Sequence, residues 1–176
     1  PMAKAAVVYA SDNRITSIVG KFIMPGLLKK FGAEVSEPIG FTVASFDVAP
    51  QVTKVMESNP DVVGVAGFGV HAAAFYKELK KRGFKGRIIG SQLFADPIAL
   101  ESLKGAEGTL FAAGYWRTQD SAATKFTKKF VDGTKKAGIA RPFPHHVDAQ
   151  AYDIVYLFKQ VIEAAGVTGD PSKLKE

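Results

Sequence analysis

The chain has 176 residues, 47% of them apolar, 11% aromatic and 23% charged, which is a globular balance and excludes disordered and fibrous classes. It contains no cysteine, so disulfides, thiolate catalysis and cysteine-bound zinc are excluded, while the redox compartment stays open. Its 23 basic and 17 acidic residues give a formal charge of +6, which permits an acidic partner without requiring one. The length suits one domain, or one domain plus part of another. No apolar run reaches the ~18 residues of a membrane span, and the residues before the first strand do not read as a signal peptide.

Short β-rich runs alternate with amphipathic helical runs, which predicts a parallel sheet built from βαβ units. Lys4 to Ala10 is the first strand, and its near-continuous apolar run predicts burial on both faces. Ile15, Ile18, Val19, Phe22, Ile23 and Leu27 follow at helical spacing up to Gly32, a C-cap glycine. Pro25 removes a backbone donor and is expected to bend that helix. Glu34 to Phe41 reads as an edge strand interrupted by Pro38. Asp47 is expected to cap a helix carrying Val48, Val52, Val55 and Met56 on one face, stopped by Asn59-Pro60-Asp61.

Val62 to Ala66 is the third strand, leading through Gly67-Phe68-Gly69 into a helix from about His71 to Arg82. Arg87 to Ile89 is the fourth, ending at Gly90-Ser91-Gln92, and Asp96-Pro97 is a helix start. Thr109 to Ala113 is the fifth, entered from Gly105 to Gly108 and left through Gly114 to Arg117. Beyond Trp116 the pattern turns helical. Ser121 to Ala137 is a basic amphipathic helix, Arg141 to Pro144 a rigid connector, and Val147 to Ala165 a helix apolar over most of its circumference. A further helix start stands at Asp170-Pro171.

Gly67-Phe-Gly69-Val-His-Ala72 imitates the G-x-G-x-x-A turn of dinucleotide binders. It follows the third strand and not the first, and Ser91-Gln92 stands where a ribose-binding acid belongs, so both features argue against that use. The remaining use is close approach of a ligand to backbone at a strand's carboxyl end. His145 and His146 are adjacent, so they are expected to point apart and to be solvated, with metal binding alongside Asp148 the lesser alternative. His71 stands open between a ligand contact and no special role. Asp12, Asp47 and Asp96 follow strands or sit at caps, and no G-x-S-x-G elbow, P-loop or H-E-x-x-H motif supports catalysis. The lysines of 77–87 and 125–136 read as solvated helix faces and not as a nucleic-acid footprint.

One consecutive set of motifs carries a resemblance. It comprises Val7 to Asn13, Gly40 to Asp47, Asn59 to Val62, Gly67 to Phe75, Gly83 to Gly90, Gly105 to Gly108 and Ala151 to Ile154. Together they closely resemble the periplasmic type I solute-binding proteins of branched-chain amino-acid ABC transporters, the leucine/isoleucine/valine-binding family. The resemblance runs through essentially the whole chain and lies in order and spacing, not in any single motif. It implies an α/β fold, a doubly wound parallel sheet forming one type I periplasmic-binding-protein lobe, with extra C-terminal helices. Residues 1–113 would be the second lobe, 114–120 a crossover or hinge, and 121–176 helices that pack on the first lobe of a longer protein. Both ends of the chain then read as cuts. The 147–165 helix is expected to dock on the second lobe, meet the missing part, or swap into a partner chain in a domain-swapped or homo-oligomeric assembly.

The implied function is non-enzymatic and free of cofactor and metal. A small molecule (an amino acid, organic acid or amide) is trapped between lobes in the periplasm and presented to the membrane permease of an ABC importer, with no nucleic-acid partner. The alternative is an intracellular ligand-sensing domain of a regulator on the same fold. By position, the family's ligand groups map onto Asn13 and Arg14 after the first strand, where Arg14 replaces the usual tyrosine and would either clamp a carboxylate or stay solvated. They map also onto Phe68, Gly69 and His71 after the third strand, Ser91 and Gln92 after the fourth, and Tyr115 and Trp116 at the crossover, where packing is the competing role. Ser91-Gln92 replaces the acid that amino-acid binders use for the ligand ammonium. The expected ligand is therefore less cationic than an α-amino acid.

Overall fold

A computed structural model describes residues 4–96, 100–101, 103, 108–139 and 141–166. The chain divides into two units, residues 1–114 and 115–176, each taken separately below.

The first unit is a parallel sheet in the order β2 (Glu34–Val35), β1 (Lys4–Ala10), β4 (Val62–Ala66), β5 (Arg87–Gly90), β6 (Leu110–Phe111), with β3 (Ile39–Phe41) also paired to β1. β1 is an interior strand, with β2 and β3 on one flank and β4 on the other. Its side chains alternate between two cores, as a strand period of two requires. Ala6, Val8 and Ala10 enter one core, and Ala5, Val7 and Tyr9 the other. The apolar run predicted burial on both faces, and both faces are buried.

The helical residues after β1 form α1 (Arg14–Ile18), a π-helical turn (Val19–Ile23) and α2 (Met24–Lys30). Pro25 lies in the first turn of α2, where a missing N–H is tolerated, and the widened turn precedes it. Gly20 in that turn lies so close to β1 that an added Cβ would overlap Tyr9 Cβ. Gly32, at φ +83°, ends α2 in a left-handed cap, with Ala33 N–H donating to Leu28 C=O at 3.0 Å.

The edge strand is split. β2 (Glu34–Val35) pairs with the start of β1, and β3 (Ile39–Phe41) with its end. Pro38 stands in the gap with no donor to offer. α3 (Ala49–Glu57) begins one residue later than expected. Its N-cap is Val48, and Asp47 acts from the preceding position, where its carboxylate accepts the Ala49 N–H at 3.0 Å.

β4 (Val62–Ala66), α4 (Gly69–Lys81) and β5 (Arg87–Gly90) follow. Asp61 joins the starts of three strands: its carboxylate and N–H meet Lys4 N–H and C=O, and its C=O accepts from Arg87 N–H. β6 (Leu110–Phe111) is shorter than the predicted 109–113. Pro97, Gly105 and the Asp170-Pro171 start lie outside the described residues. Val52, Val55, Phe75 and Leu79 from α3 and α4 fill one core, and Met24 and Leu28 from α2 fill the other. Helices therefore cover both faces of a parallel sheet, the doubly wound α/β arrangement expected.

The second unit holds α5 (Ser121–Lys136) and α6 (His146–Ala164). Asp120 caps α5 by accepting Ala123 N–H at 2.7 Å. At the start of α6, Asp148 accepts the His145 N–H at 2.7 Å and takes Arg141 through two bonds of 3.1 and 2.8 Å. His145 and His146 correct the sequence expectation. Both are buried, His146 at 1% exposure, and their rings lie 3.9 Å apart instead of diverging into solvent. Burial, and then the neighbouring His145, hold His146 below the usual imidazole range, with Asp148 opposing. α6 leaves Ile154, Val155, Leu157, Phe158 and Val161 exposed.

Candidate functional site

All strands of the first unit are parallel, so their carboxyl ends lie along one side of the sheet. The order of connection reverses beside β1, since β2 and β3 lie on one flank and β4 on the other, and such a switch point is where open α/β sheets bind ligands. The loops that leave β1, β3 and β4 at this point are tied together by hydrogen bonds.

After β1, Ser11 N–H and Oγ both donate to Phe41 C=O, at 2.7 and 3.0 Å. The Asp12 carboxylate accepts Val43 N–H at 2.8 Å. Asn13 Oδ1 caps α1 by accepting Ile15 and Thr16 N–H, both at 3.1 Å. The buried Thr16 hydroxyl donates to Ala10 C=O at 2.7 Å and fixes the helix on the strand. Arg14 is exposed at the first helical position.

His71 completes the tie. It is 1% exposed, its Nε2 lies 2.9 Å from Val43 C=O, and its Nδ1 accepts Phe68 N–H at 3.2 Å. Those two bonds require the tautomer with hydrogen on Nε2, so both ring nitrogens are spent inside the protein. Phe41, Phe46 and Phe68 surround the imidazole at ring-centroid distances of 5.0, 6.5 and 6.0 Å. Gly67 makes room for this packing, since an added Cβ would come within 3.1 Å of the Phe41 ring and 3.2 Å of His71 Cβ. The first of the dinucleotide-like glycines, Gly67, thus has a packing use.

Phe68 is half-buried, and Gly69 is buried at the start of α4. No side chain from the N-cap covers the first turn of α4, whose positive end suits an anionic group. On the neighbouring strand, Ser91 accepts Leu93 N–H at 3.4 Å and caps a 3₁₀ turn (Gln92–Ala95), while Gln92 is exposed. Of the sequence-derived candidates, Asn13, Arg14, Phe68, Gly69, His71, Ser91 and Gln92 therefore stand at the carboxyl ends of β1, β4 and β5.

Tyr115 and Trp116 belong to the second unit. The Tyr115 hydroxyl lies 2.6 Å from Thr127 Oγ1 and donates to Ala123 C=O at 3.2 Å, and its ring meets Phe126 edge-on. The Arg117 guanidinium lies over Trp116 at 4.6 Å and over Phe143 at 4.3 Å.

Sequence reasoning passed over Val43 and Phe46. Val43 acts only through its backbone, which no side-chain motif reveals. Phe46 is a lone exposed aromatic between small and polar residues, and that was the available signal. Among the described residues, no group of three His, Asp or Glu side chains converges to hold a metal, and no helix is long and apolar enough to cross a membrane.

Several solved structures share this fold. A leucine binding protein from Thermotoga maritima MSB8 aligns at TM-score 0.75 and 22% identity over 94% of this chain and 46% of that one. A solute-binding protein of an ABC transporter from R. palustris, in complex with 4-hydroxybenzoate, aligns at TM-score 0.76 and 21% identity over 98% and 47%. Another, from Rhodopseudomonas palustris BisB5 in complex with 3,4-dihydroxy benzoic acid, aligns at TM-score 0.68 and 18% identity over 94% and 45%. The chain spans about half the length of these structures, and at such identities the likeness shows the fold. No curated relative matches. The family model "Periplasmic binding protein" matches residues 4–176, and the chain belongs to that family, which is one of binding proteins and not of enzymes.

Proposed function

We propose that the first unit is the second ligand-binding lobe of an extracytoplasmic solute-binding protein that delivers a small carboxylate, amide or aromatic acid, or a related amino acid, to an ABC importer. The observation that carries this reading is the tie of Asp12, Val43, His71 and Phe68, which joins three loops at the switch point into one preorganised shelf. Rigid loops lose little entropy on binding, so affinity is not spent on ordering them.

On this shelf, Arg14 is the cation for a ligand carboxylate, assisted by the Asn13 side-chain N–H groups and the positive end of α4. Phe68 and Gly69 form the floor, with Ser91 and Gln92 at its side. His71 holds the shelf from behind, since both its nitrogens are engaged. The absence of an acid at Ser91-Gln92 favours a ligand without an ammonium group, and the hydroxybenzoates held by two structural relatives support that class.

In the complete protein, residues 114–120 would be the crossover and the helices from Ser121 would pack on the other lobe. Ligand bridging both lobes stabilises a closed state that a membrane permease recognises. Family membership supports a periplasmic location.

Titration calorimetry on the complete two-lobe protein tests this reading. Carboxylates or amides lacking an amino group should bind, and Arg14→Ala should weaken a carboxylate at least tenfold. Tight leucine binding with no response to those ligands would overturn the ligand class. No response to either group would overturn the lobe assignment.

A further inference from the structure

We propose that Phe46 is the aromatic wall that selects a planar ring over an aliphatic side chain on this shelf. The inference rests on the ligand-binding reading above and deepens it. Phe46 is 71% exposed, so the core does not explain its place. Exposure alone marks nothing, since Phe22 and Phe31 are as exposed, and Phe46 differs from them in standing against the buried His71 at the switch point.

Three features fix the ring. Its loop is anchored at Val43, whose N–H goes to Asp12 and whose C=O goes to His71. Within the loop, Ser45 N–H donates to Thr42 C=O and Ser45 Oγ to Asp47 C=O, both at 2.9 Å. The ring then lies nearly parallel to the His71 imidazole, at 24° and 6.5 Å between centroids. His71 is itself locked by its two hydrogen bonds, so Phe46 is supported from one side and open on the rest.

Phe68 lies 6.0 Å from the same imidazole, on the loop that follows β4. The switch point is thus flanked by two rings held against one buried histidine. Such a pair offers flat π-faces at fixed positions. A benzoate-class ring gains offset or edge-to-face contacts there in addition to burial. An aliphatic side chain gains burial alone.

The test is amide-resolved NMR titration of the complete two-lobe protein with two probes, 4-hydroxybenzoate and leucine. The expected result is that 4-hydroxybenzoate shifts the amides of Val43, Phe46 and Phe68, and that Phe46→Ala weakens its binding at least tenfold. The same substitution should leave any leucine response within twofold and the remaining spectrum unchanged, because the ring is exposed. If 4-hydroxybenzoate shifts Asn13 and Phe68 but Phe46→Ala leaves its affinity intact, the wall is overturned while the ligand-binding shelf stands. Equal losses for both probes overturn the selectivity. If neither probe shifts any amide of the three loops, the wall and the shelf both fall.

Discussion

β1 and α6 are both rich in apolar residues, yet one is buried along almost its whole length and the other exposes most of its apolar residues. β1 has hydrogen-bonded neighbours on both flanks and helices over both faces. α6 meets the rest of its unit through His146, Ala149 and Tyr152, whose ring lies 4.9 Å from Phe126, while Val155 and Phe158 remain 66% and 62% exposed. Apolar character says that a segment wants a partner. Only topology says whether the partner is within reach.

That contrast can be broken by substitution. The largest expected effect is Phe75→Ala, which empties a fully buried position in the first unit and should cost about 4 kcal/mol. Urea unfolding followed by circular dichroism measures it, and a loss below about 1 kcal/mol would show the core to be looser than described. Next, Gly20→Ala forces a Cβ into Tyr9 and should cost about 2 to 3 kcal/mol by the same measurement.

Smaller still is the pH response of the second unit. His146 is held below the usual imidazole range in the folded state, so the unfolded chain binds the proton more readily. Its contribution to stability is complete above the unfolded pKa of about 6.5 and is lost as pH falls towards the folded value. Trp116 is the only tryptophan, so its fluorescence follows that unit during urea unfolding. The midpoint should drop between pH 7.5 and 5 in the native sequence and drop less in His146→Gln. Equal slopes would remove His146 as the cause.

Last, Phe158→Ala should change stability by no more than about 0.5 kcal/mol, as exposed positions do. A loss of 2 kcal/mol or more would mean that this face is covered in solution.

Much of the fold was legible because β1, β4 and β5 are bounded by turn residues and α4 has one strongly apolar face. Pro38 marked the interruption of the edge strand, and Gly32 marked the end of α2 by a positive φ that favours glycine. The π-helical turn was not legible, because Gly20 looks like any helical glycine until Tyr9 is seen against it. His145 and His146 were misread because adjacency suggested divergence, whereas the turn before α6 folds both rings inward. At the site, Arg14, Phe68 and Ser91 were reachable by counting from strand ends. The tie through Val43 was not, since it is made by backbone groups whose partners lie 31 and 28 residues away.

The split between β2 and β3 has a consequence for solubility. A continuous edge strand is a template on which another chain can add a strand, and aggregation starts there. Here one margin of the sheet is cut into pieces of two and three residues, with a proline between them, and the opposite margin, β6, is two residues long. Neither offers a run of free donors and acceptors long enough to recruit an intruding strand. A sheet built this way keeps both of its sides closed to its own kind.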